Sequence, residues 1–371
     1  MRSWANMLRA DDATILDWAS RQPWAAPMRA CMQDAQWHAE GDVWTHTCMV
    51  YEQVTRLAEY PDLSRQEQIM LLLVALLHDA GKPATTMLDP ETGRTRSPKH
   101  SLVGAAMTRQ ILRDLGCDLP TREHIVRLVR YHGRPPYLLE SREPERSVIQ
   151  LSSLLSNRLL YLFALADTRG RHAEEMSRPE ETLHLWRDTA LEHGCFNCEY
   201  PFANDHARLL YHRDELTSLH YTPHEDYTCT VTMMSALPGA GKDTWLATER
   251  RGLSVVSLDA VREELDVSST DNQGQVIQTA REHCREHLRA HRSFAFNATN
   301  LTSMLRRRWI DLFLSYHARV EIIYLEPPLA TILRQNKARE ASVPESVIHR
   351  LLAKTEVPTL SEAHAVRLIG G

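Results

Sequence analysis

The stretch Ala236-Leu237-Pro238-Gly239-Ala240-Gly241-Lys242-Asp243-Thr244 leaves a chain few choices of fold. Before it, residues 228–234 read as a strand; after it, residues 242–250 read as a helix. A strand, a glycine-rich turn and a helix opened by Lys and a hydroxyl residue form a phosphate cradle. Backbone N–H groups and the helix N-terminus stabilise the phosphate oxygens. Lys242 is then placed to reach the β- and γ-phosphates, and Thr244 lies on the first helical turn. Gly239, Ala240, Gly241, Lys242, Asp243 and Thr244 are therefore the expected triphosphate contacts. Two positions depart from the pattern. Ala236 replaces its first glycine, and Asp243 stands where Ser or Thr usually meets magnesium. Asp243 either binds the metal, directly or through water, or leaves it to Thr244.

The alternation continues beyond the loop. Residues 253–258, 293–297 and 320–325 read as strands; 274–290 and 302–316 read as helices. Such βα alternation implies a parallel sheet flanked by helices. Asp259 follows the second strand, where such sheets place ligands, and a carboxylate there can accept the proton of an attacking hydroxyl. Arg262, one turn on, is suited to an anionic group of the acceptor. Arg334 and Arg339 near the chain's end are suited to neutralising transition-state charge. Residues 227–358 resemble a polynucleotide 5′-kinase of the phage end-healing type. The resemblance rests on the loop followed by Trp245, Asp259-x-x-Arg262, the Ala298-Thr299-Asn300-Leu301 turn, the lid arginines and the Val343-Pro344 helix. It implies ATP with magnesium as donor, Asp259 as general base, Arg262 on the acceptor's phosphate and the lid arginines on the donor. Arg334-x4-Arg339 is one residue longer than the phage spacing, and Asn297 stands where relatives often carry Asp.

The first 220 residues have another character. Residues 66–78 are apolar with few breaks and read as a buried helix stopped at Gly81-Lys82-Pro83; 122–131 and 148–166 show helical spacing; 89–98 reads as a loop. The composition changes near residue 222, so residues 1–222 are expected to form an all-helical domain and 223–371 an α/β domain, an α + α/β chain. Along the helical part run His46, His78-Asp79, His100, His132 and Asp167. Imidazole and carboxylate suit transition metals, and an adjacent His-Asp lets one carboxylate bridge two ions. Residues 30–175 resemble the HD phosphohydrolase superfamily, including its nucleotidyltransferase-linked members. The similarity lies in Trp37-His38-Ala39-Glu40-Gly41-Asp42-Val43-Trp44-Thr45-His46-Thr47, His78-Asp79-Ala80-Gly81-Lys82-Pro83, His100-Ser101-Leu102-Val103-Gly104-Ala105 and Ala166-Asp167. It implies that His46, His78, Asp79 and Asp167 hold one metal and that Asp79, His100 and His132 hold a second, drawn from Mn, Co, Ni or Cu. Lys82, His38, Arg169 and Arg171 are candidates for a substrate phosphate.

Together the two halves resemble the bacterial HD–polynucleotide kinase family. That implies phosphorylation of 5′-hydroxyl RNA or DNA ends, hydrolysis of 2′,3′-cyclic phosphate ends, and a downstream ligase. One rival keeps both domains but pairs a nucleotide phosphohydrolase with a nucleoside or small-molecule kinase; another is a nucleotide-gated sensor without turnover. A net charge of −5 excludes a generally basic nucleic-acid binder, leaving Arg306-Arg307-Arg308 as a local patch. No apolar run reaches the roughly 18–20 residues of a membrane span. The N-terminus carries no signal-like apolar core, and the seven cysteines are an odd number, so a reducing cytoplasm is expected. Cys195 and Cys198, with His193 and His206 near, are a candidate zinc set.

Overall fold

The computed structural model describes residues 1, 3–34, 36, 38–172, 180–268, 271–339 and 342–370, so Trp37 lies outside the described residues. The chain forms two compact units, Met1–Pro201 and Phe202–Gly371. The second begins some twenty residues before the expected change near 222. The reason is local: helix Asp205–His212 binds the C-terminal unit through Arg208 Nη2 to the His364 carbonyl (2.6 Å) and through Asp205 to Arg319 (2.9 Å).

The first unit is helical, with α1 (Trp4–Arg9), α2 (Asp12–Ser20), α3 (Ala25–Ala30), α4 (Val43–Thr55), α5 (Arg65–Leu77), α6 (His100–Asp114), α7 (Leu119–Tyr131), α8 (Pro144–Ser152), α9 (Asn157–Arg169) and α10 (Glu180–Glu192). Helix α5 is its axis. Ser64 and Glu67 form a reciprocal capping box at its start, and Ile69 through Leu77 are all buried, so the helix is enclosed on every side. Helices α4, α7 and α9 pack on it. The 148–166 stretch is not one helix. It breaks between α8 and α9 with a bend of 116°. Ser156 caps α9 by accepting from Leu159 N, and the Asn157 amide donates to the carbonyls of Val148 and Cys195. The 89–98 loop is partly paired, as β1 (Met87–Leu88) and β2 (Thr95–Arg96) form a short antiparallel ladder. Among the described residues no single helix is long and apolar enough to cross a membrane.

The second unit holds α11 (Asp205–His212), β3 (Cys229–Ala236), α12 (Lys242–Glu249), β4 (Ser254–Ser257), α13 (Leu258–Leu265), α14 (Gly274–Arg289), β5 (Phe294–Asn297), α15 (Ser303–Leu314), β6 (Ala318–Glu326), α16 (Leu329–Lys337), α17 (Glu345–Ala353) and β7 (Ala365–Gly370). The five strands form a parallel sheet in the order β4-β5-β3-β6-β7. Strand residues alternate between two cores. Val231, Met233, Phe294, Phe296, Val320 and Ile322 meet residues of α14 and α15 on one side. Met234, Ala236, Ala295, Ile323 and Leu325 meet residues of α16 and α17 on the other. The four strands and the parallel sheet expected from the sequence are present; the edge strand β7 was not among them.

One glycine fixes where the metal-type residues can stand. A Cβ at Gly81 would lie 2.2 Å from the His100 carbonyl oxygen and 2.6 Å from Gly104 N, both main-chain atoms. The turn after Asp79 is therefore in direct backbone contact with the start of α6, which carries His100. Gly81→Ala is expected to destabilise the protein by about 1–3 kcal/mol through overpacking. Gly133→Ala, whose added Cβ meets nothing within 4 Å, should cost less than about 0.5 kcal/mol. Urea unfolding of the two variants measures the contrast.

Candidate functional site

In the first unit the end of α5, the starts of α4 and α6, the end of α7 and the end of α9 bring six expected residues together. His46, His78 and Asp167 form one buried group; Asp79, His100 and His132 form another. His46 Nε2 lies 3.1 Å from Asp167 Oδ1 and 3.4 Å from His78 Nε2. Asp79 faces both groups with different oxygens. Its Oδ2 lies 3.2 Å from His78 Nε2 and 3.8 Å from His46 Nε2, while its Oδ1 lies 3.5 Å from His100 Nε2. His100 Nε2 in turn is 3.4 Å from His132 Nε2.

The tautomers follow from the backbone. His78 Nδ1 is 2.9 Å from the Ala75 carbonyl, His100 Nδ1 2.8 Å from that of Ser97, and His132 Nδ1 2.8 Å from that of Val129. A carbonyl only accepts, so each Nδ1 carries the proton and each ring turns its Nε2 inward. Burial and the neighbouring His78 push His132 down to about 3, so it is neutral. Its Nε2 faces His100 Nε2 at 3.4 Å, so the two rings can offer their Nε2 atoms to one cation. The donor set of imidazoles and carboxylates thus fits divalent transition metals, with Asp79 common to both groups. Burial raises the pKa of Asp79 and Asp167, but His78 and Lys82 around the former, and Arg171 and His46 around the latter, hold both well below the usual carboxylate range.

The surroundings divide the phosphate candidates. Lys82 Nζ lies 2.7 Å from Asp79 Oδ2 and donates to Gln33 Oε1 at 2.6 Å. Arg171 Nη2 meets Asp167 Oδ2 at 2.9 Å, and the His38 ring packs on His46 at 4.7 Å between centroids. Arg169 is not at the cluster; both its Nε and Nη2 are taken by Glu180. Glu40 was missed as a site residue. Its Oε1 lies 2.9 Å from His46 Nδ1 and 2.8 Å from His38 Nδ1, and its Oε2 accepts from His172 N at 3.0 Å. It gives His46 the carboxylate support that the other three rings take from main-chain carbonyls. Its signal was available: a carboxylate between two histidines in one short motif. Burial, opposed by the Glu40 bond, lowers His38 to about 4.

In the second unit the phosphate loop connects β3 to α12 as expected. Gly239 and Gly241 take positive φ, +78° and +87°, and a Cβ on Gly239 would lie 2.8 Å from the Ile332 carbonyl of α16. Lys242 donates to the Leu237 carbonyl of its own loop at 3.2 Å. Burial lowers its pKa, against the opposing pull of Asp243 and Asp259 and with the aid of Arg339. Arg334 is exposed on α16 and contacts Thr331. Asp259 stands on the first turn of α13, bonded to Arg262 Nη1 at 2.5 Å. Gln273, absent from the sequence reading, fixes Arg262: its Nε2 donates to the carbonyls of Ser268 and Asp271, leaving Oε1 to accept from Arg262 Nε at 2.7 Å.

Other expectations change. Arg306 is no surface charge. It is fully buried, bidentate to Glu362 at 2.7 and 2.9 Å, and donates to the carbonyls of Asn300 and Glu356. On one helix three successive arginines point in different directions, and Arg307 and Arg308 stay exposed. The Ala298–Leu301 turn clamps β3: the Asn300 amide donates to Met234 O and Ser235 Oγ donates to Asn300 O. Among the described residues Cys195 and Cys198 belong to no metal-type group. Cys195 packs beside Asn157, Cys198 bonds the Gly194 carbonyl, and His206 stacks on His364.

Known proteins agree with this division. Residues 43–167 match the HD domain model, and residues 231–358 match the AAA domain model. A CC-adding tRNA nucleotidyltransferase of Thermus thermophilus is 42% identical over 118 residues, 30% of this chain and 26% of its own. An A-adding tRNA nucleotidyltransferase of Deinococcus radiodurans is 36% identical over 91 residues, 24% of this chain and 20% of its own. The chain thus spans about a quarter or less of these relatives' length. A solved structure described as a kinase from Chloroflexus aurantiacus covers 39% of this chain and 86% of its own, at 16% identity and a TM-score of 0.33, too low to carry an argument. Residues 43–167 therefore carry an HD domain, and residues 231–358 a P-loop domain.

Metal analysis separates the residues of the first unit. Asp79→Ala should strip both ions, whereas His100→Ala or His132→Ala should lose one equivalent. Glu40→Gln, with every ligand retained, should weaken metal binding by about 10–100-fold. Elemental analysis of the purified variants and metal titration against a chelator give the two readouts.

Proposed function

We propose that this chain is a bifunctional end-healing enzyme. It phosphorylates 5′-hydroxyl polynucleotide ends from ATP and hydrolyses 2′,3′-cyclic phosphate, and 2′- or 3′-phosphate, at the opposite ends. The observation that carries the reading is the presence, in one chain, of a carboxylate facing two imidazole groups and of a phosphate loop followed by the paired Asp259 and Arg262 of α13. Ribonuclease cleavage commonly leaves both of these blocked ends, and a classical ligase joins neither. The two curated relatives are tRNA enzymes by name, which favours RNA over DNA. The cytoplasm, a downstream ligase and no membrane complete the proposal.

In the kinase half, Asp259 accepts the proton of the 5′-hydroxyl as its oxygen attacks the γ-phosphorus, and ADP leaves. Lys242 releases the Leu237 carbonyl to bind phosphate oxygens, and Arg339 adds positive charge. Arg334 serves the donor once its segment closes over the loop. Arg262, held by Gln273, takes the acceptor's phosphate. Magnesium fits the oxygen donors beside the loop and, when bound, neutralises charge on the triphosphate. In the HD half, bound metals supply an activated water and stabilise charge at phosphorus. Lys82 and Arg171, each already paired with a ligand carboxylate, are placed to hold the substrate phosphate, and Glu40 keeps His46 in register.

The reading is tested by incubating the protein with labelled 5′-hydroxyl RNA, 5′-hydroxyl DNA and free nucleosides, and with cyclic-phosphate RNA. Asp259→Asn should lower 5′-phosphorylation about 10²–10⁴-fold with ATP affinity nearly unchanged. Lys242→Ala should stop phosphorylation and spare cyclic-phosphate hydrolysis; Asp79→Ala should do the reverse. Preference for free nucleosides would replace the reading with a small-molecule kinase, and ATP binding without turnover would replace it with a sensor.

A further inference from the structure

The loop residue at the magnesium position and the end of the neighbouring strand depart from the usual pattern together. In P-loop nucleotide sites a neutral Ser or Thr hydroxyl after the lysine and a carboxylate at a strand end share the magnesium ion. Here the residue after Lys242 is Asp243, and β5, paired beside β3, ends in Asn297. The structure brings the two into contact: Asn297 Nδ2 donates to Asp243 Oδ1 at 2.6 Å. A carboxylate only accepts, so the amide must present its nitrogen to Asp243, which settles its orientation. Asn297 Oδ1 then points elsewhere. It is buried in a residue only 5% exposed and has no hydrogen-bond partner in the protein. Leaving a buried acceptor unsatisfied is costly, so this oxygen awaits a donor or a cation.

We propose that Asp243 and Asn297 have exchanged charge, so that the loop supplies the carboxylate for the triphosphate's magnesium and the strand end supplies the neutral oxygen. The inference rests on the nucleotide-site reading above and adds to it which chain element carries the charge. The pair keeps one negative charge in total, as a hydroxyl and an aspartate would. An aspartate at 297 beside Asp243 would instead set two carboxylates side by side, and the amide removes that repulsion while tethering Asp243. The exchange also accounts for both departures with one cause. Either departure alone leaves the metal position with two negative charges or with none.

The test is charge relocation in the full-length protein, read by calorimetric ATP affinity with and without Mg2+ and by melting temperature. Wild type should bind ATP more tightly with Mg2+. D243S should lose about 10–100-fold of that magnesium-dependent gain. The double variant D243S/N297D, which restores the hydroxyl-plus-aspartate pattern, should recover most of it. N297D alone should melt lower without Mg2+ and regain stability when Mg2+ and ATP are added. An unchanged magnesium gain in D243S, or no recovery in D243S/N297D, overturns the exchange and leaves the 2.6 Å bond a structural tether. If D243S does not fold, the double variant decides alone: a wild-type magnesium gain supports the exchange and its absence overturns it. If wild type itself binds no ATP, the nucleotide-site reading fails first, and that result is distinct from wild-type binding with an unaltered D243S.

Discussion

The N-terminal unit is organised by three main-chain carbonyls that turn three imidazole rings inward. His78, His100 and His132 each give their Nδ1 proton to a carbonyl three residues back, so each must expose Nε2 to the interior. The carbonyl acceptors lie in the last turn of α5, before α6 and in the last turn of α7, and the ring directions are therefore properties of helix ends. Those ends hold their places because α5 is buried on every side and because Gly81 lets the turn after Asp79 touch the first turn of α6. Asp79 sits at the junction with one oxygen for each group. The arrangement is expensive for a protein alone, since it buries two carboxylates among inward-facing imidazoles, and it is sensible for a protein that holds cations.

The C-terminal unit solves a different problem, keeping a mobile ligand's seat rigid before the ligand arrives. Gly239 lies so near α16 that no Cβ fits, Asn336 of that helix clasps both the carbonyl and the N–H of Val343, and the Asn300 turn ties the end of β3. Arg306 is the hub beneath, spending all its charge on Glu362 and two carbonyls. The charges that the proposal assigns to substrate are held more loosely. Lys242 bonds a single carbonyl of its loop, and Arg339 is exposed. Arg262 is intermediate: Gln273 aims it, while its other end rests on Asp259, so an acceptor phosphate would draw it from the very base it now neutralises.

Much of this was legible in the sequence because spacing and residue type carried it. The loop, the βα alternation and the His/Asp stations are short-range patterns whose chemistry is tied to one geometry. What escaped depends on partners distant in sequence. Arg306 reads as one of three surface arginines, and only Glu362, 56 residues on, makes it a core residue. The break inside 148–166 is set by Asn157 reaching Cys195. The boundary moved to 201 because α11 finds its ion-pair partners more than a hundred residues later. The edge strand β7 is short and half-buried, with an alternation too weak to separate from a tail. Asp243 and Asn297 were each visible as departures, but 54 positions apart nothing in the sequence joined them.

The proposed pairing of activities also explains why two independent cores can sit in one chain. A cyclic phosphate and a 5′-hydroxyl arise from one cleavage but lie on the two separate fragments, and neither repair consumes the other's product. No intermediate has to pass between the sites, so the chemistry asks for nothing beyond delivery of both activities to the same break. A kinase acting on free nucleosides gains nothing from such delivery, because its acceptor and the hydrolase's substrate would diffuse independently. The electrostatics fit the same division. In the proposal the first unit holds phosphate with Lys82 and Arg171, already paired with metal-type carboxylates, whereas the second uses Lys242, Arg262 and Arg339. On that proposal, a terminal phosphate diester would meet two cations close to the metal-type carboxylates, and a triphosphate would meet the lysine of its loop and arginines that follow it in the sequence.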